Sequence, residues 1–164
     1  MANGVNNRSQ TYTVARAMQR CANCGELTGV IGIFLPAGHE TLEIDPDAEE
    51  DTTAAETWEV VEAGAGVFYV EHLPQAVQFR LRQLSQHYYI GAGDVAGRSY
   101  WMNHCSLCGA SQGDFELYCE PEGAFMPMSA EAAGSIQLHE VLEPFAAQAV
   151  GYAFAPELLD YAHR

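Results

Sequence analysis

Two short motifs carry the residues best suited to chemistry: Cys21-Ala22-Asn23-Cys24-Gly25 and Cys105-Ser106-Leu107-Cys108-Gly109. Two residues between paired cysteines let a tight turn aim both sulfurs at one point. The glycine after each second cysteine adopts positive φ cheaply, so the chain can turn while backbone N–H groups face the thiolates. A tetrahedral zinc site needs four ligands, and two such turns supply a set of four cysteines. The pattern therefore predicts one structural Zn2+ held by Cys21, Cys24, Cys105 and Cys108, with Gly25 and Gly109 shaping the turns. Zinc binds its cysteines as thiolates, so binding energy becomes folding energy. Common zinc ribbons separate their pairs by about 15–20 residues, whereas eighty residues lie between Cys24 and Cys105. The insertion must then be a folded layer, with the two knuckles meeting at its base.

Other uses of these cysteines fit less well. A thioredoxin-like pair sits at a helix N-terminus, which lowers its thiol pKa. Neither pair here precedes a helical pattern, and Gly25 and Gly109 would weaken one. A catalytic zinc keeps an open position for water and needs a general base, and a closed all-cysteine shell leaves no such position. The first ten residues are polar and lack an apolar signal region. The expected compartment is thus the cytoplasm, where structural disulfides are rare. There is no nucleophile elbow and no P-loop. Gly91 to Gly97 is one residue off the dinucleotide fingerprint and reads as a loop. Glu116, Glu120 and Glu122 lack the spacing of a calcium loop. The expectation is a protein that is not an enzyme.

Two further residues lie beside the motifs. His104 adjoins Cys105, and neighbours in a knuckle rarely both reach one metal, so a supporting role is expected. Cys119 is the odd cysteine and reads as a small buried apolar residue. The remaining histidines show no ligand spacing.

The charge balance narrows the partners. There are 22 acidic residues against seven basic ones, all Arg, for a net charge of −15. That argues against direct nucleic-acid binding, which uses Lys and Arg to displace counterions. A protein partner remains compatible, because a negative field steers a basic surface. No apolar stretch is long enough for a membrane span. Ten acids and no basic residue fall between Glu40 and Glu62. The segment from Asp45 to Asp51 reads as a solvated loop because its like charges repel. A less favoured alternative is an acidic inhibitor or DNA mimic of bacterial or phage origin, supported only by this charge.

The elements that must position the knuckles are read from periodicity. Residues 1–11 read as a flexible tail, and 12–164 as a single zinc-binding domain with an acidic loop around 40–57. Tyr12 to Arg20 reads as a polar, helical lead-in. Val30 to Leu35 is a short β-branched run, hence a buried strand. Trp58 to Val61 suggests an edge strand, and Val67 to Val70 and Ser99 to Met102 further strands. Pro74 opens the best helix, with Val77, Leu81, Leu84 and Tyr88 on one face. Tyr88 to Ile90 can also leave that helix as a strand. Asp114 to Tyr118 alternates polar and apolar, as a strand does. Phe145 to Phe154 is ambiguous, and Pro156 starts a short last helix through Tyr161. These readings amount to an α+β fold: a small antiparallel sheet, one main helix and a zinc-knuckle pair, zinc-ribbon-like.

The stretch from Tyr100 to Phe115 resembles a block of uncharacterised bacterial zinc-ribbon-like proteins, an aromatic followed by Asn-x-Cys-x-x-Cys-Gly-Ala-x-Gln-Gly-Asp. An upstream Cys-x-x-Cys-Gly with an apolar strand, like Cys21 to Leu35, accompanies it. The two blocks cover about a quarter of the chain. The resemblance implies zinc binding by Cys21, Cys24, Cys105 and Cys108 and implies no activity. It also singles out Gln112 and Asp114, the latter expected to brace the knuckle by accepting backbone N–H bonds.

Overall fold

The computed structural model describes residues 4–44, 56–93 and 97–164. The acidic segment from Asp45 to Asp51 and the centre of the Gly91–Gly97 loop lie outside them. The strands are β1 (Asn7–Ser9), β2 (Tyr12–Arg20), β3 (Leu27–Leu35), β4 (His39–Ile44), β5 (Glu56–Val61), β6 (Ala65–His72), β7 (Tyr88–Ala92), β8 (Ser99–His104), β9 (Ser111–Gln112), β10 (Gln137–Val141) and β11 (Phe145–Phe154). They form one 11-stranded antiparallel system, ordered β10-β2-β3-β6-β11-β1-β4-β5, with β7, β8 and β9 branching from β6 through β8. The helices are short: α1 (Gln75–Leu84), α2 (Asp114–Tyr118), α3 (Ala130–Gly134) and a closing 3-10 turn, Glu157–Tyr161. No described helix is long and apolar enough to cross a membrane.

The expected α+β zinc ribbon, with a small sheet and one main helix, is therefore overturned: the protein is mostly antiparallel sheet. Three segments account for the difference. Tyr12–Arg20 is not a helical lead-in but a strand paired on both sides, to β3 and to β10. Its Tyr12 and Val14 enter the core, while Arg16, Met18 and Arg20 continue the same row into solvent. The polar half hid the period. Phe145–Phe154 pairs with β6 and β1 and buries Ala147 and Ala149. Asn7–Ser9, within the segment read as a tail, is a strand between β11 and β4. In the opposite sense, Asp114–Tyr118 is a helix and not a strand. Its buried residues Asp114, Leu117 and Tyr118 fall at i, i+3 and i+4, which is a helical stripe. Five residues do not separate that stripe from alternation.

Other expectations hold. Val30–Leu35 lies in β3 and is buried throughout, because both faces of this strand are covered. On one face α1 places Val77 and Leu81 against Ile31, Ile33 and Val67. On the other, Phe34, Phe68, Leu117, Tyr118 and Phe125 form a second cluster. There the Tyr118 ring lies over Gly66, where a Cβ would come within 2.8 Å of the ring, and its hydroxyl accepts the Ile33 N–H at 2.8 Å. Trp58–Val61 lies in β5, at the end of the strand order. Tyr88 belongs to β7 and not to α1.

The sheet splits beside the knuckles. β6 pairs with β3 from Ala65↔Leu35 to Val67↔Ile33. In the same register Phe68 would next face Gly32, and Tyr69 would face Ile31. Tyr69 instead has φ +50°, a left-handed conformation costly for a side-chain-bearing residue. Past it, β6 meets β8 at Val70↔Trp101. The two strands that carry the cysteine turns, β3 and β8, are thereby left flanking the same fork.

Candidate functional site

Each knuckle is the turn of a β-hairpin. The first joins β2 to β3, closing on the pair Arg20↔Leu27. The second joins β8 to β9, closing on His104↔Ser111. Their hydrogen bonding repeats. Cys21 N–H donates to the Glu26 carbonyl at 2.8 Å, and Gly25 N–H to the Cys21 carbonyl at 3.0 Å. In the second knuckle the equivalent bonds run from Cys105 to Ala110 at 2.8 Å and from Gly109 to Cys105 at 2.9 Å. Gly25 and Gly109 have φ +77° and +78°, so both occupy the conformation in which a Cβ is unfavourable.

The fold brings the four sulfurs of Cys21, Cys24, Cys105 and Cys108 within 4.8 Å of one another. Two contacts run between knuckles: Cys21 to Cys108 at 3.6 Å and Cys24 to Cys105 at 3.7 Å. All are free thiols, so this is a group that can hold a metal ion, not a pair of disulfides. Cys21 and Cys105 are buried, whereas Cys24 and Cys108 face outward.

Amide donors converge on the inner sulfurs. Cys21 Sγ accepts N–H groups from Asn23 at 3.3 Å and Cys24 at 3.5 Å, and the Gln112 side-chain amide at 3.4 Å. Cys105 Sγ accepts the Leu107 N–H at 3.4 Å. These bonds favour thiolate. The Cys24 amide, followed by those of Asn23 and Gln112, brings the Cys21 thiol down to about 6 against the opposing cost of burial. The Cys108 and Leu107 amides lower Cys105. Cys24 moves the other way, to about 11: the Glu26 amide favours its thiolate, but lost hydration and the surrounding sulfurs outweigh it. Four packed thiols cannot all ionise without a cation among them.

The neighbouring residues divide by role. Gln112 sits in β9 opposite Asn103, donates to Cys21 and anchors itself on the Ala110 carbonyl at 2.9 Å. Asn23 reaches across the knuckles to Cys108 Sγ at 3.5 Å. His104 is not in the sulfur group. Its ring stacks on Tyr89 at 3.7 Å, nearly parallel, and its buried Nδ1 has no hydrogen-bond partner among the described residues. Burial lowers its pKa, which fits a neutral packing ring. Asp114 does not brace a knuckle; it accepts the Tyr69 N–H at 3.0 Å. Burial raises its carboxyl to about 7, against the Tyr69 hydrogen bond. Cys119 ends α2, away from the quartet, with its thiol raised by burial.

Three residues hold the fork together and were not singled out individually from sequence. Asn103 replaces the ladder partner that β6 withdraws: its Oδ1 accepts the Ile31 N–H at 2.8 Å and its Nδ2 donates to the Ile31 carbonyl at 2.9 Å. The Asn-x-Cys spacing of the resembling block carried that signal. Thr28 Oγ1 accepts the Ser106 N–H at 3.0 Å and so joins β3 to the second knuckle, and no sequence feature marked it. Tyr69 is the third, since its conformation lets β6 leave β3.

Fold and site together define a mainly antiparallel β protein with four cysteines gathered by two hairpin turns. Family models, curated proteins and solved structures contain no match to this chain.

Proposed function

We propose that the protein is a non-enzymatic module whose β-sheet is clamped by one structural zinc ion and which acts through protein contacts. The observation that carries the reading is the sulfur geometry. A tetrahedral centre of four sulfurs around zinc, with bonds of about 2.3 Å, has edges of about 3.8 Å; two of the four inter-knuckle edges are 3.6 and 3.7 Å, and all six edges are within 4.8 Å. Thiolates are soft ligands suited to zinc, and all four positions of the shell are taken by protein. Binding there would fasten β3 to β8 at the point where backbone pairing has lapsed, so its free energy adds to folding. Leu107 at the tip of the second knuckle is 69% exposed, and Leu27 beyond the first is 53% exposed. Apolar side chains displayed on a rigid end suit a protein partner.

The test is metal content by mass spectrometry on natively purified protein, with Cys105→Ser and Cys119→Ser variants. The expected result is one zinc per chain, lost together with cooperative unfolding in Cys105→Ser and retained in Cys119→Ser. A folded metal-free protein with reversible thiol oxidation, or a coloured iron centre, would overturn the zinc reading. For the contact surface, a Leu27→Asp/Leu107→Asp variant that keeps its zinc is expected to lose partners captured by the wild type from its host. Equal capture by both refutes that face.

A further inference from the structure

A groove lies on the sheet face that α1 leaves uncovered. On β2, Tyr12 and Val14 pack in the core beneath α1, and Arg16 and Met18 extend the same row past the end of the helix. Across from them β3 supplies Ile31 opposite Arg16 and Gly29 opposite Met18. His87, in the segment leaving α1, and Ser106, in the second knuckle, stand as walls. The groove they enclose measures about 520 Å³, within the ~300–1,000 Å³ span of small-molecule sites.

Two features set its chemistry. In a chain of net charge −15, no Asp or Glu lines this groove, whereas three other surface clefts each include a glutamate: Glu40, Glu122 and Glu43. Arg8, Arg80 and Arg98 each pair with a glutamate; Arg16, like Arg20, Arg82 and Arg164, has no ion pair among the described residues, and of these four it alone lines the groove. A planar guanidinium without a partner, in a groove cleared of carboxylates, suits a carboxylate. The second feature is Gly29. Its backbone is not left-handed, and a Cβ there would meet nothing closer than Met18 Sδ at 4.0 Å. Space, not conformation, is what this glycine provides: it keeps the floor open beside the apolar Met18 and Ile31.

We propose that this groove binds a small amphipathic carboxylate, its charge on Arg16 and its apolar body over Met18 and the open floor at Gly29. A monoanion is favoured over a phosphate dianion because one guanidinium must hold it against the negative field of the whole protein. The site goes beyond the zinc reading and stands whichever metal the cysteines hold.

The experiment uses the full metal-loaded chain, with octanoate and its neutral counterpart octanol as probes, followed by amide shifts in 15N–1H spectra. Octanoate is expected to shift the amides of residues 16–18, 29–31 and 85–87 saturably, and octanol to bind about tenfold more weakly for want of the charge-assisted bond. Arg16→Gln should bring octanoate to the octanol level. Gly29→Val should abolish saturable shifts for both probes while spectral dispersion and metal content are unchanged, because valine suits a strand and only fills the floor. Shifts confined to another surface, octanoate binding unaffected by Arg16→Gln, or full binding by a folded Gly29→Val would each overturn the proposal.

Discussion

Asn103 offers the sharpest test of how the cysteine-bearing strands are joined. Its side chain is the partner of the Ile31 N–H and carbonyl on the side β6 abandons, and it is 1% exposed. Asn103→Leu keeps the heavy-atom count and branching, so no cavity forms, but it strands one donor and one acceptor away from water. A buried unsatisfied group costs about 1–3 kcal/mol, so the variant should lose about 2–6 kcal/mol, a large share of the ~5–15 kcal/mol typical of a domain. In urea, with a slope near 2 kcal/mol/M, the midpoint should fall by about 1–3 M at constant slope. The measurement belongs in metal-saturated protein, so that altered occupancy does not enter the comparison. Asn103→Asp should fall at least as far, because a carboxylate oxygen would face the Ile31 carbonyl. A loss below about 1 kcal/mol for Asn103→Leu would show that Ile31 finds other partners and that the amide is not the fork's fastening.

Further outcomes follow from the same geometry. Gln112→Leu removes the buried amide that donates to Cys21 Sγ; a competitive chelator titration should show metal affinity lower by about 10–100-fold. Gly25→Ala and Gly109→Ala meet no atom within 4 Å, so each should cost only the left-handed backbone penalty of about 1–2 kcal/mol, equal at the two sites by urea midpoint. Asp114 has a folded pKa of about 7, raised by burial. The folded state therefore holds this proton more tightly than the unfolded chain, and its contribution is complete below about pH 4 and lost as pH rises through about 7. Asp114→Asn keeps an oxygen for the Tyr69 N–H and removes the titration. The stability difference between variant and wild type should change by up to about 4 kcal/mol over that window, and a pH-independent difference would show that Asp114 does not titrate there.

The local chemistry was legible in the sequence because a knuckle is a local object. Two residues between cysteines and a following glycine dictate the turn, and the same turn occurs at Cys21–Gly25 and Cys105–Gly109 with matching bonds. β3, β6, β8 and α1 were readable for a similar reason, since apolar runs and a helical stripe are properties of neighbouring residues. The tertiary structure alone decided the rest. Tyr12–Arg20 became a strand because β3 and the distant β10 took up its two edges. Asp114 and Gln112, two residues apart, serve different ends: one holds the Tyr69 amide and the other a sulfur. A backbone hydrogen bond can be satisfied by any segment that arrives, and nothing in the local sequence names that segment. The choice of Asn103 for Ile31 and Asp114 for Tyr69, and with it the meeting of two distant cysteine turns, was fixed only when the sheet closed and every buried donor and acceptor had to find a partner.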